Sequence, residues 1–270
     1  MAHPTDDPTD DPTEDPTDDL GHPVRIDGPP ARIVSLVPSL SETLVSWGLA
    51  SRLVGVTDWC ISPPGAFDHA TRVRGTKNPD VAAIVALTPD LVVANEEENR
   101  RVDVERLRAE GVAVWVTAPR SLTGVAASFE RLGPVLGVDR AASRLAAEIR
   151  GAVAGASVHR RSLRTFCPVW RDPWIAVGTD TIAADLLRCA GFTVVPDVAR
   201  YPRVELDDVA ELDPDVVLLP DEPYEFGPDD HGEFAGWRAQ VRDIDGATLT
   251  WWGPRTPAAL GTFAALARSL

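Results

Sequence analysis

The sequence predicts an α/β fold of two similar lobes with parallel sheets, and three observations carry that prediction. The first is an internal repeat: Leu87-Thr-Pro-Asp-Leu-Val-Val returns 125 residues later as Leu212-Asp-Pro-Asp-Val-Val-Leu. The second is shared context. Each copy follows a short helical pattern (Val81 to Leu87, Leu206 to Leu212) and leads into acidic residues: Glu96, Glu97 and Glu98, then Asp221 and Glu222. The third is an amphipathic stretch between the copies, opening at Asp139, with Ala142, Leu145, Ile149 and Val153 on one face. Within each copy Pro stops the helix, Asp turns the chain, and the apolar run has the character of a buried parallel strand. Two such units place two strand ends at a shared crevice.

The elements follow in order. Arg32 to Val37 is a strand, Ser39-Leu-Ser-Glu42 has the pattern of a capping box, and a helix runs through Trp47 to Gly48. Strand Leu53–Thr57, strand Leu91–Ala94, helix Val102–Glu110 and strand Val112–Val116 complete the first lobe, and a helix spans Val125–Leu136. Beyond the joining helix, Arg164–Val169 is a strand, Thr181–Cys189 a helix and Phe192–Val195 a strand. Strand Val216–Leu219, a helix near Phe234–Val241, strand Ala247–Trp251 and a closing helix Pro257–Leu270 finish the chain. The predicted divisions are a tail over 1–22, a first lobe over 23–137, a backbone helix over 138–158 and a second lobe over 159–270. A single helical joint predicts a rigid hinge.

Composition narrows the function. The 270 residues carry a net charge of −15, which argues against nucleic acid and anionic membrane surfaces as partners. Eight of the acidic side chains fall in the first twenty residues, in a near-repeat of Asp-Asp-Pro-Thr with few apolar groups. That head is expected to be a disordered tail without contacts to the body. No basic start with an apolar run precedes Ile33, so a cytoplasmic protein is expected. Cys60, Cys167 and Cys189 form no Cys-x-x-Cys pair, and the five histidines no metal-binding spacing.

Candidate binding residues gather at predicted strand ends. Trp59, Trp115, Trp170, Trp174, Trp251 and Trp252 lie at or near such ends and suit an aromatic-lined cleft for a large flat ligand. For any one of them core packing is the plainer account, as it is for Trp47 and Trp237. Thr76, Lys77 and Asn78 lie in Gly75-Thr-Lys-Asn-Pro79, whose amides precede a helix and could meet an anion. Lys77 is equally well a solvated turn residue. Glu97, Asn99 and Arg100 sit where a strand meets a helix start, where helix-dipole stabilisation alone accounts for acidic residues. Arg171, Tyr201, Arg203, Glu222 and Tyr224 are the matching second-lobe group. Arginine beside aromatic rings suits an anionic group on an amphiphilic ligand, or else an inter-lobe salt bridge. No acid–base pair or nucleophile elbow is recognisable, so no catalytic residue is assigned.

Three segments, Arg32-Ile-Val-Ser-Leu-Val-Pro-Ser39, Leu53-Val-Gly-Val56 and Ile84-Val-Ala-Leu-Thr-Pro-Asp-Leu-Val-Val93, resemble the cobalamin and iron-siderophore binding proteins of ABC importers. The likeness covers residues 24–270 and is closest to a signal-less branch with helical-backbone metal receptors, through Gly75–Pro79, Glu97–Arg100 and Asp221–Tyr224. It implies two Rossmann-like lobes with parallel sheets on one long backbone helix. It further implies a non-catalytic protein closing on a corrinoid-like or other metal chelate, with cobalamin as the possible ligand. The alternatives it leaves are an enzyme or insertase of metal-cofactor chemistry, or an importer-associated binding protein. Importer-bound relatives carry an acidic docking residue on each lobe. Here the first position is Ala82 and the second Asp207, so importer docking is expected to be impaired. Where branch relatives carry His after the Cys, this chain has Ser62.

Overall fold

The computed structural model describes residues 15–156 and 162–270. The first lobe contains β1 (Ile33–Ser35), α1 (Pro38–Ser46), β2 (Leu53–Val56), β3 (Thr71–Arg72), α2 (Val81–Ala86), β4 (Leu91–Asn95), α3 (Arg101–Ala109) and β5 (Val114–Thr117). Its five-stranded sheet is all parallel, in the order β3-β2-β1-β4-β5. Helices α4 (Leu122–Leu136) and α5 (Asp139–Ala156) lead to the second lobe. That lobe holds β6 (Leu163–Phe166), α6 (Ile182–Ala190), β7 (Phe192–Val194), α7 (Leu206–Glu211), β8 (Val216–Pro220), β9 (Gln240–Ile244), α8 (Gly246–Thr250) and α9 (Thr256–Ser269). Its four-stranded sheet is parallel too, ordered β7-β6-β8-β9, with a small antiparallel pair, Pro168–Trp170 and Ile175–Ala176, beside it.

Alternation along β4 shows why the first sheet has two apolar faces. Leu91 and Val93 point into one core with α1 and α4, while Val92 and Ala94 meet Ile84 of α2 and Val104 and Leu107 of α3. Each such buried valine, leucine or isoleucine contributes about 1.5–3 kcal/mol. The first of these cores does not stop at the lobe. It continues through Leu145, Ala146 and Ile149 of α5 to Leu187 of α6, Val216 and Leu218 of β8 and Phe263 of α9. The joint is therefore a shared core, and α4 and α5 approach so closely that a Cβ on Gly133 would lie 2.5 Å from that of Ala142.

The repeated Asp does more than turn the chain. In the first lobe Asp90 Oδ2 accepts the backbone N–H of Ala31 and of Arg32, both at 2.8 Å, and the Arg32 guanidinium donates to the Leu87 carbonyl at 2.6 Å. In the second, Asp215 Oδ2 accepts the N–H of Arg164 at 2.8 Å, and Arg164 donates through Nε to the Leu212 carbonyl at 3.1 Å. Each repeat thus ties its helix end to the start of the lobe's first strand.

Four expectations are corrected. Residues 228–234 form a 3-10 turn and Gln240–Ile244 the edge strand β9, so no α-helix spans Phe234–Val241. Ala247–Trp251 is largely the helix α8, because Asp245 caps it by accepting the Thr248 N–H at 2.5 Å. Helix α1 opens on Pro38 at its first turn without a side-chain cap, so Ser39 and Glu42 make no capping box.

The fourth concerns the acidic head. Residues 1–14 lie outside the described residues, but 15–22 pack on the body. Asp18 is buried and accepts the N–H of Leu20 and His22 at 2.9 Å, that of Val116 at 3.3 Å, and Arg108 Nη2 at 2.8 Å. Asp19 accepts the Ala118 N–H at 2.9 Å and Arg131 Nη2 at 2.6 Å, while its own N–H donates to the Val116 carbonyl at 3.1 Å. The segment lies along β5, the edge strand of the first sheet. Its carboxylates hold it there by hydrogen bonds rather than by apolar burial. Among the described residues no helix is long and apolar enough to cross a membrane.

Candidate functional site

Strand order dictates which loops face one another. Across the first lobe the carboxyl ends of β2, β1, β4 and β5 present residues 57–62, 36–38, 96–100 and 118–121. Across the second, β7, β6, β8 and β9 present 195–203, 167–174, 221–226 and 245 onward. The two rows meet at both ends. At one, Glu97 Oε1 accepts Arg120 Nη1 of its own lobe and Arg200 Nη2 of the other, both at 2.7 Å, with the Tyr201 hydroxyl 3.4 Å from Oε2. At the other, Arg255 Nε donates to Glu42 Oε2 at 2.7 Å and Nη2 to Ser62 Oγ at 2.8 Å. The cleft lies between these links.

Local chemistry leaves aromatic groups exposed at these strand ends. Cys60 is buried, with Ser41 Oγ 3.0 Å and Thr57 Oγ1 3.1 Å from its sulfur, and burial raises its thiol pKa. Arg72 Nη1 donates to the carbonyls of Thr57 and Cys60 at 2.9 Å. With Cys60 anchored inward, its neighbours Trp59 and Ile61 are pushed outward, 64% and 67% exposed. From the second lobe come Trp170, 44% exposed and edge-on to Tyr224 at 5.7 Å, and Tyr201, 40% exposed, with Val198 also exposed. These are five of the seven large apolar side chains exposed among the described residues, so apolar exposure concentrates at strand-end loops.

The acidic residues divide by role. Asn95 Oδ1 accepts the N–H of Glu97 and Glu98 at 2.9 and 3.2 Å, and Lys77 Nζ donates to the Glu97 carbonyl, which fixes the turn. Glu98 keeps contact with solvent yet is walled by protein. Loss of bulk water raises its carboxyl pKa, Lys77 opposes the rise, and Glu97 adds to it. Burial likewise raises the Tyr201 phenol, with Glu97 and Glu98 reinforcing it, so Tyr201 stays a neutral donor. Glu222 is raised by burial, against a 2.7 Å hydrogen bond from Trp251 Nε1.

Several sequence-predicted residues serve the scaffold instead. Asn99 is buried and donates to the carbonyls of Leu36 and Thr76 at 3.2 and 3.0 Å, joining three loops. Arg100 pairs with Asp103 at 2.7 Å on α3. Arg171 lies over the Trp174 ring at 5.5 Å and pairs with Asp230 and Glu233, while Trp174 stacks on Phe226 at 5.7 Å. Arg203 reaches only Glu205, at 3.7 Å. Trp252 is buried against Phe129 at 5.7 Å, and Trp115 is buried within β5. Thr76 and Asn78 belong to a hairpin of Arg74–Gly75 with Asn78–Pro79, and α2 begins only after Asp80, whose carboxylate accepts the Ala83 N–H. That helix start is filled by the chain's own carboxylate, so the anion reading of Gly75–Pro79 is not met. Sequence reading missed Glu42, Ile61, Arg120, Val198, Arg200 and Arg255, and only strand order identifies them. Among the described residues no three His, Cys, Asp or Glu side chains gather as metal ligands.

Comparison with known proteins agrees with this geometry. A family model described as periplasmic binding protein matches residues 33–222. A cobalamin-binding protein of Halobacterium salinarum is 30% identical over 204 residues, 72% of this chain but 55% of that protein, so the match spans about half of its length. A vitamin B12-binding protein of Vibrio campbellii is 26% identical over 197 residues, covering 71% of each chain. Two solved structures share the fold. The periplasmic vitamin B12-binding protein of Vibrio cholerae has a TM-score of 0.77 at 23% identity, over 89% of this chain and 98% of its own. The periplasmic heme-binding protein of Roseiflexus sp. RS-1 also scores 0.77, at 24% identity, over 87% and 98%. With two parallel-sheeted lobes, one shared core and a cleft at facing strand ends, this chain belongs to the periplasmic binding protein family, a family of binding proteins rather than enzymes.

Proposed function

We propose that the cleft binds a corrinoid-like or other planar metal chelate and releases it unchanged. One observation carries the reading: Trp59 of the first lobe and Trp170 with Tyr201 of the second stand exposed at facing strand ends, where a large flat ligand gains from two aromatic walls. The charges favour an amide-bearing periphery over a carboxylate-bearing one. Arg120, Arg200, Arg171 and Arg255 are each already paired with carboxylates, whereas Glu98 is held by no arginine contact. The cobalamin-binding relatives support a corrinoid, and the heme-binding structural relative makes hemin the natural competitor.

Docking on an importer is a weaker reading. The repeat makes α2 and α7 equivalent helices, but α7 carries Asp207 where α2 carries Ala82. Titration of tryptophan fluorescence with cyanocobalamin and, separately, hemin tests the proposal, together with the visible spectrum of protein purified from its own host. Saturable quenching by cyanocobalamin is expected, and absence of binding to both chelates would overturn it.

A further inference from the structure

We infer that the contact of Glu97 with Arg200 and Tyr201 is a latch controlling entry to the cleft, and that the segment from Trp252 to Arg255 is its pivot. The ligand consequence rests on the binding function proposed above; the mechanical statement does not.

The two inter-lobe links differ in kind. At the pivot the second lobe is embedded in the first: Trp252 packs on Phe129, which meets Trp47 edge-on at 5.1 Å. Arg255 is held by Glu42 and Ser62 and lies over the Trp251 ring at 4.8 Å. The Asp185–Leu122 tie, 2.8 Å, lies instead beside the latch, at the start of α4, and the pivot rests on the rings. Aromatic burial of this sort does not yield to small motions.

At the latch the contacts are polar and partly open to water. The Arg200 side chain is 36% exposed and that of Glu97 15%, close to the 32% and 15% of Arg255 and Glu42, but no aromatic ring packs across this flank: Val198 is exposed and Tyr201 reaches over through its hydroxyl alone. An ion pair exposed on its arginine side is still weakened by salt, though less than a fully exposed one. The first-lobe half is preorganised: Asn95, Lys77 and Arg120 fix the Glu97 backbone and carboxylate. Arg200 is therefore the part that moves. It sits on the loop after β7, tied to the Thr179 carbonyl through its own N–H and to the Asp180 carbonyl through its side chain. Because the shared core crosses at α4 and α5, the opening is a swing of one flank and not a separation of lobes.

The test uses spin labels on Val102→Cys of the first lobe and Asp208→Cys of the second, both exposed positions, in the full chain, whose three native cysteines are buried. Without any ligand, the inter-label distance should be narrowly distributed. Glu97→Gln and Arg200→Gln should each raise the long-distance fraction about five- to tenfold, and the double variant no further, because both remove one interaction. Molar sodium chloride should produce the same shift in the chain that keeps Glu97 and Arg200, so the test survives if a variant fails to fold. Distributions unchanged by variants and salt would overturn the latch. In stopped flow with cyanocobalamin, both variants should associate several-fold faster. Distance changes with no cyanocobalamin binding would leave the latch standing and defeat the corrinoid reading alone. Distance changes with binding at an unaltered rate would show that the latch does not control entry.

Discussion

Gly253 lies against Thr43 so closely that a Cβ at position 253 would sit 2.4 Å from Thr43 Oγ1, with its backbone at φ +131. The contact joins the second lobe to α1 of the first. Gly253→Ala meets two obstacles, a backbone conformation that side chains avoid and a hydroxyl that donates to the Ser39 carbonyl at 2.8 Å. A loss of roughly 2–4 kcal/mol is expected in denaturant unfolding. Adding Thr43→Ala should restore part of it. Full stability of the single variant would mean that this seam is looser than it looks.

Asp18 anchors the N-terminal segment. Asp18→Ala removes a buried carboxylate that serves three backbone N–H groups and Arg108, so about 2–4 kcal/mol should be lost. Removing residues 1–20 should cost at least as much, read as a melting temperature several degrees lower. A truncated chain melting with the full-length one would show that the segment contributes nothing.

Trp59→Ala and Trp170→Ala should each weaken cyanocobalamin binding about tenfold or more, since exposed aromatic walls carry much of the contact energy for a flat ligand. Neither should shift melting by more than about 2 °C, because both side chains face solvent. Equal binding by both variants would move the ligand elsewhere.

The Glu98 carboxyl is raised above its usual value by burial, so the folded protein binds that proton more tightly than the unfolded chain. Its ionisation therefore costs stability: the group is harmless at acid pH, and stability declines as pH rises past 4.5 through the raised folded value. Glu98→Gln should melt about 1 °C higher at pH 7, a small gain because the group retains solvent, and the gain should vanish below about pH 4. Calorimetry at the two pH values checks the sign.

The repeat, the parallel strands and the joining helix were legible because Pro-Asp punctuation and β-branched runs act locally. The segment around Asp18 was not. Its partners Arg108 and Arg131 are remote in sequence, and a low-complexity composition gives no hint that two carboxylates will be claimed by a strand edge. Helix α8 shows a different failure: Ala247 to Trp251 reads as strand by composition, and the Asp245 cap decides otherwise. Within the site, Trp59, Trp170 and Tyr201 were readable from their place at strand ends. Arg200 and Arg255 were not, since their roles depend on which strands lie at the edges of each sheet.

The ties made by Asp90 and Asp215 stand at the opposite ends of the sheets from the cleft. Structural cohesion and recognition are thereby assigned to different residues. The exposed Trp59, Ile61 and Trp170 are free to change their chemistry while Arg32, Asp90, Arg164 and Asp215 hold the strand starts in place. Each lobe can be relined without the other, so a chain of this design is suited to acquire new cargo one wall at a time.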